Sequence, residues 1–149
     1  MVPKEGRGWG LVLFWKSTIN LEIVSSHRYY INAVIDKDTK NEWCFTRFYG
    51  EPETNKRKEA WNKLRYLNSS RSILWVYIGD FNEITKQDEK LGGAVWSHNQ
   101  MQLFQDVIDE RGFMDLGYTG PKFTWSKHFV NGNSVWERHD RGLATNDWC

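Results

Sequence analysis

Cysteine is scarce: the chain of 149 residues has two, Cys44 and Cys149. No Cys-x-x-Cys pair and no Cys/His spacing accompanies them, which excludes a disulfide framework and a structural zinc site. A reducing, intracellular setting is then the default. Long apolar runs are missing too. No stretch approaches the roughly 18 apolar residues of a membrane span. The opening Met1-Val2-Pro3-Lys4-Glu5-Gly6-Arg7 lacks the apolar run and small-residue cleavage site of a secretory signal. Nor is there an excess of one charge. The 20 Lys+Arg stand against 19 Asp+Glu, a formal net charge of +1, which argues against affinity built mainly on blanket phosphate neutralisation. There is no internal repeat, low-complexity tract or linker, so one domain over residues 1–149 is expected.

Aromatic residues are abundant: nine Trp, eight Phe and six Tyr. They fit a dense core or a base-stacking surface equally well. The apolar run 10–15 reads as a strand, followed by strands near 21–24, 30–35 and 42–49, with the polar loop 36–41 as a hairpin connection. Within 42–49, Trp43, Phe45, Arg47 and Tyr49 share one face and Cys44, Thr46 and Phe48 the other; both are mostly apolar, which predicts an interior strand. A helix fits 55–67, with Ala60, Trp61, Leu64 and Leu67 as its buried stripe and Lys56, Arg57, Lys58, Lys63 and Arg65 as a basic face. That face is either solvated surface or a phosphate contact.

Residues 73–78, Ile-Leu-Trp-Val-Tyr-Ile, are expected to form a central strand buried on both faces. A second helix is marked by the capping-box form Ser97-His98-Asn99-Gln100. Met101, Phe104, Val107 and Ile108 make its stripe, and Gly112 stops it. Phe123-Thr124-Trp125 and Val135-Trp136 flank Asn131-Gly132, the dipeptide favoured in type I′ hairpin turns. Mixed strands and helices without strict alternation indicate an α/β or α+β unit.

The sharpest feature is Gly79-Asp80-Phe81-Asn82-Glu83 at the carboxyl end of the expected central strand, where ligands commonly bind. If the segment is extended, Asp80 and Asn82 project to one side and Phe81 into the core. A carboxylate can hold a divalent cation or position a water, while a neutral amide donates to a phosphate oxygen without added repulsion. The same two residue types also cap turns. From the pentapeptide alone both readings stand.

These residues, with Phe48-Tyr49-Gly50, Gly120-Pro121-Lys122-Phe123-Thr124-Trp125, Asp88-Glu89-Lys90-Leu91-Gly92-Gly93 and Glu137-Arg138-His139-Asp140-Arg141, occur in the order of a known pattern. The chain resembles the endonuclease/exonuclease/phosphatase superfamily, and in particular the apurinic-type endonuclease domains of plant LINE-type (non-LTR) retrotransposon polyproteins. The resemblance implies an α/β (α+β) two-layered β-sandwich flanked by helices, incomplete and truncated at both ends. It implies Mg2+- or Mn2+-dependent phosphodiester hydrolysis that nicks DNA, in a nuclear setting, with a reverse transcriptase downstream in a full-length element.

Residue by residue, Tyr49 matches the tyrosine that reaches the scissile phosphate. Asp80 matches the aspartate that orients the attacking water and lies at the metal, Asn82 the asparagine that steadies the phosphate, and Asp140 the aspartate that orients a catalytic histidine. Trp125 and Arg138 fall where DNA contacts are expected. Each has a plainer alternative: Tyr49 as a core ring, Asp140 as an ion-pair partner of Arg138 or Arg141. The pattern's metal-binding glutamate and its Ser-Asp-His motif are not among these residues, so weak or absent activity is expected. A non-catalytic nucleic-acid-binding or non-functional retroelement remnant is the alternative. His139 stands at an apolar position of the pattern, where a buried imidazole needs a partner. Trp9 replaces a small residue.

Overall fold

The computed structural model describes residues 10–67 and 73–148. Trp9, Cys149 and the Ser/Arg stretch preceding residue 73 lie outside them. The described residues form nine strands: β1 (Leu21–His27), β2 (Tyr30–Ile35), β3 (Trp43–Tyr49), β4 (Trp75–Asp80), β5 (Lys90–Leu91), β6 (Phe113–Asp115), β7 (Trp125–His128), β8 (Ser134–Glu137) and β9 (Asp140–Thr145). Two helices join them, α1 (Arg57–Tyr66) and α2 (His98–Glu110). A six-stranded sheet runs β1-β2-β3-β4-β9-β6, and a three-stranded sheet runs β5-β8-β7. This is the expected mixed α/β class, with two sheets and two helices.

Parallel strands need a crossover. β3 and β4 pair in parallel, with α1 lying between them in the chain; the other neighbours in the large sheet are antiparallel. The face of β3 bearing Cys44, Thr46 and Phe48 is buried, and its register sets Trp75 and Tyr77 beside them. The helices cover this face through stacked rings. Phe48 packs on Trp61 (6.4 Å between ring centres) and on Phe81 (5.1 Å), and Phe104 stacks on Trp61 at 4.5 Å and on Phe81 at 5.4 Å. The aromatic load is therefore spent largely on the core. Buried Thr46 is satisfied by donating to Asn32 and accepting from the Trp75 indole, both at 2.9 Å.

The helix expectations fare well. Ala60, Trp61, Leu64 and Leu67 are all buried. Ser97 Oγ accepts from the Gln100 N–H and caps α2, while Gly112 follows its end with φ +64°.

Three expectations need correction, and one is refined. Residues 10–15 form no strand: Leu11 makes a single bridge, and Phe14 is 89% exposed. A short apolar run becomes a strand only where a partner offers its ladder, and among the described residues of this run only Leu11 pairs. The central strand starts and ends two residues later than expected, and Ile78 is exposed, so it is not buried on both faces. β3 is an interior strand as expected, paired on both sides, with Trp43, Phe45, Arg47 and Tyr49 half-buried on its second face. The hairpin turn is not a two-residue type I′: Gly132 N donates to Phe129 O, Phe129 N donates to Asn133 O, and only Gly132 of the Asn131-Gly132 pair has positive φ. That is the pattern of a type I turn closed by a left-handed glycine.

The basic face of α1 is also reduced. Arg57 is buried, with Nη1 2.7 Å from Glu83 Oε2; Lys56 pairs with Glu53 and Arg65 with Glu110. Among the described residues no helix is long and apolar enough to cross a membrane.

Candidate active site

Strand register builds the site. Tyr49 and Asp80 are Cα partners at the carboxyl ends of parallel β3 and β4, and Asp80 is in turn paired with Asp140 at the start of β9. Three of the four candidate catalytic residues thus stand side by side across three strands. Asn82 joins them by a turn rather than by extension. Its φ is +53°, its N–H donates to Asp80 Oδ1 at 2.9 Å, and its side-chain amide donates to Gly50 O at 2.7 Å. The expected extended geometry is therefore wrong at Asn82. The local bond from carboxylate to backbone is what permits the left-handed residue.

Glycine is required beside it. A Cβ at Gly50 would lie 2.0 Å from Phe81 O, so the Tyr49 and Asp80 segments are held closer than any side chain allows. Gly50 N also donates to Asp80 O at 2.7 Å. Phe81 is fully buried, as expected.

Burial pushes the Asp80 carboxyl up. The Asn82 N–H and nearby His139 work against this, and Asp140 adds to it by like-charge repulsion. Asp140 is exposed and its N–H donates to Thr124 Oγ1. It borders a crevice of about 490 Å³ with Ile78, Tyr118, Pro121, Phe123 and Thr124. A wider groove of about 980 Å³, lined by Gly93, Trp96, Ser97 and Val135 among others, includes none of the four candidates.

Arg138 and Arg141 do not turn to Asp140. Arg141 Nη2 lies 2.8 Å from Glu89 Oε2 and its Nη1 2.9 Å from Asp115 Oδ2. Arg138 bonds Glu89 at 3.0 Å and Asp115 at 2.8 Å, and is buried. Its described contacts are internal to the fold. Burial pushes Glu89 and Asp115 up, but the arginine bonds outweigh it and hold both carboxyls below their usual range.

Trp125, partly exposed, lies over the His139 ring at 5.2 Å between centres and 25° between planes. His139 is 5% exposed and has the partner that its burial demands: Nε2 is 2.6 Å from Glu137 Oε2. Burial raises the Glu137 carboxyl, but bonds from His139 and Lys90 overcome this and hold it down to about 2.

Sequence reasoning missed the buried charges Glu83, Glu89 and Arg141, and the pairing of Glu137 with His139. A signal existed for some of them. Glu83 closes the aspartate pentapeptide, and Glu137 and His139 alternate within one motif. Their partners, Arg57 and Lys90, are remote in sequence. Among the described residues no group of three or more His, Cys, Asp or Glu side chains is placed to hold a metal ion. Of the described residues, Asp80 with Asp140 beside it would hold the Mg2+ or Mn2+ implied by the resemblance, as one or two carboxylates completed by water hold Mg2+.

No family model matches the chain, and no curated protein matches it by sequence. Solved structures do match it in fold. One is the endonuclease domain of TRAS1, a telomere-specific non-LTR retrotransposon: TM-score 0.65, 12% identity, 89% of this chain and 58% of that one. Another is the 3′ phosphatase NExo from Neisseria bound to a product DNA hairpin: TM-score 0.54, 14% identity, 86% of this chain and 58% of that one. A third is the beta toxin of Staphylococcus aureus: TM-score 0.52, 16% identity, 80% of this chain and 43% of that one. The chain thus spans less than two thirds of each. At such identities the likeness is one of fold.

Proposed function

We propose that the chain carries the site of a DNA-directed phosphodiesterase of the retrotransposon endonuclease type, within one partial domain over residues 1–149. The observation that carries this reading is the alignment of Tyr49, Asp80 and Asp140 as neighbours at one end of β3, β4 and β9, with Asn82 bonded to Asp80. A half-buried carboxylate flanked by a phenol and an amide suits in-line attack of water on a phosphodiester. In this reading Asp80 orients the water and Asn82 and Tyr49 steady the phosphate oxygens. Asp140 holds a further polar group, and Trp125 stacks on the nucleic acid. Arg138 acts at a distance, by anchoring the loop beneath. No step is assigned to a metal ion.

Supercoiled-plasmid nicking by the purified chain tests this, with Mg2+ or Mn2+, with EDTA, and beside Asp80→Asn. Nicking that falls by ~10²-fold or more in the variant is the expected result. Nicking unchanged by Asp80→Asn, or none from a sample shown folded by near-UV circular dichroism, overturns the reading.

A further inference from the structure

Arg47 is not spent on the fold. Among the described arginines, Arg28, Arg57, Arg65, Arg138 and Arg141 each pair with a carboxylate. Arg111 lies against the Trp75 and Phe113 rings. Among the described residues Arg47 has neither kind of partner; its bond is from Nη1 to Ile78 O at 3.3 Å. A guanidinium carries five N–H donors, so most of its bonding capacity stays available. Strand register says where that capacity lies. Arg47 and Tyr49 alternate onto the face of β3 turned away from the helices. Arg47 is the Cα partner of Ile78, and Ile78 that of Gly142. This row sits two residues, roughly 7 Å, before the row of Tyr49, Asp80 and Asp140, within reach of an arginine side chain. Neither Ile78 nor Gly142 brings a charge to it.

An anionic phosphodiester brought to Asp80 and Asp140 meets two like charges, and a cation on the same face offsets them. We propose that Arg47 is the phosphate-binding cation of this site. Its unbonded N–H groups donate to the non-bridging oxygens of a DNA strand lying over the Tyr49–Asp80–Asp140 row. The planar fork of a guanidinium matches two phosphate oxygens, which an ammonium does not. The bond to Ile78 O already rests the side chain on β4, so less rotamer freedom is lost when phosphate binds. The basic face of α1 cannot substitute, because it lies on the helix side of the sheet and Lys56, Arg57 and Arg65 are paired there. The contact rests on the function proposed above for its ligand, DNA, but not for the hydrolysis.

Fluorescence anisotropy of a labelled DNA duplex, titrated with the full chain in EDTA across salt concentrations, reads this contact without hydrolysis. Arg47→Gln should weaken binding roughly five- to tenfold near 0.1 M salt and make the log–log salt slope shallower by about 0.9. Arg47→Lys keeps the charge and should keep the slope while losing part of the affinity. Arg65→Gln, which removes a charge paired with Glu110 on α2, should change little. Near-UV circular dichroism and the urea midpoint check that each variant is folded. Unchanged affinity and slope in folded Arg47→Gln, an equal loss in Arg65→Gln, or no binding by the folded chain overturns the proposal. If the chain nicks, Arg47→Gln should raise KM by a similar factor with kcat less affected, and an unchanged KM also overturns it. Binding that depends on Arg47 without any nicking sinks the hydrolytic function and leaves the contact standing. Nicking with KM indifferent to Arg47→Gln does the reverse.

Discussion

Asp80 is the residue on which most turns. Its charged form is disfavoured by burial, yet Oδ1 serves a backbone bond that an asparagine can also make. Asp80→Asn is therefore expected to change folding stability by less than about 1 kcal/mol in urea titration while removing any nicking. Gly50 is the opposite case: it has no chemistry, but the site depends on its missing side chain. Gly50→Ala drives a Cβ against backbone at 2.0 Å, and a loss of roughly 3 kcal/mol or more is expected from chemical denaturation, since neither backbone can yield. The pentapeptide around Asp80 was legible in sequence because a Gly-Asp pair after an apolar run is a local signal. The left-handed turn at Asn82 was not, because besides the local bond to Asp80 the Asn82 amide is held by Gly50 O, thirty-two residues away along the chain.

At the scale of elements, local rules and tertiary bonds carry different weights. The Ser97 cap of α2 is local, and Ser97→Ala should cost about 1 kcal/mol, read as a lowered Tm. The buried network tying β6, β9 and the turn at Glu89 is not local. Removing its central carboxylate with Glu89→Leu leaves Arg141, whose side chain is 0% exposed, short of a partner, at an expected cost of about 3–5 kcal/mol.

Acid acts on this network through Glu89 and Asp115, and on Glu51 and Glu137 outside it. Glu51, Glu89, Asp115 and Glu137 titrate lower in the folded chain than their usual values. Each contributes stability that is complete above its unfolded pKa and is lost as pH falls through its folded one. The window opens near 4.5 and for Glu137 extends to about 2. Asp80, raised, works in the opposite sense. Four against one, the urea midpoint should fall steadily as pH drops below about 4.5, and a midpoint that rises there would contradict these assignments. The helices were readable because capping and 3.6-residue periodicity are short-range. The run 10–15 was misread because β-propensity does not itself supply a ladder, and of this run only Leu11 pairs.

Over the whole molecule, charge is balanced and the basic stripe of α1 is partly consumed internally, by Glu83, Glu53 and Glu110. Binding to duplex DNA should then depend only modestly on salt. We expect a log–log slope no steeper than about −3, where six to ten phosphate contacts give about −5 to −9. A fluorescence-anisotropy titration across salt concentrations checks this. The sheet face opposite the helices carries half-buried Trp43, Phe45 and Tyr49 and exposed Ile78, whereas the helix-covered face is closed by the stack of Phe48, Trp61, Phe81 and Phe104.

Composition and periodicity by themselves determined the α/β class, both helices with their buried stripes, most strand positions and the motif around Asp80, because each is a pattern within a dozen residues. Only the tertiary structure decided that Tyr49, Asp80 and Asp140 fall into one row. The parallel register of β3 on β4 and the antiparallel return of β9 create that neighbourhood, and no local pattern encodes it. The tertiary structure also turned Arg57, Arg138 and Arg141 from surface cations into buried ion-pair members. A guanidinium is buried only where carboxylates from distant segments converge on it, and that convergence exists only in the folded chain.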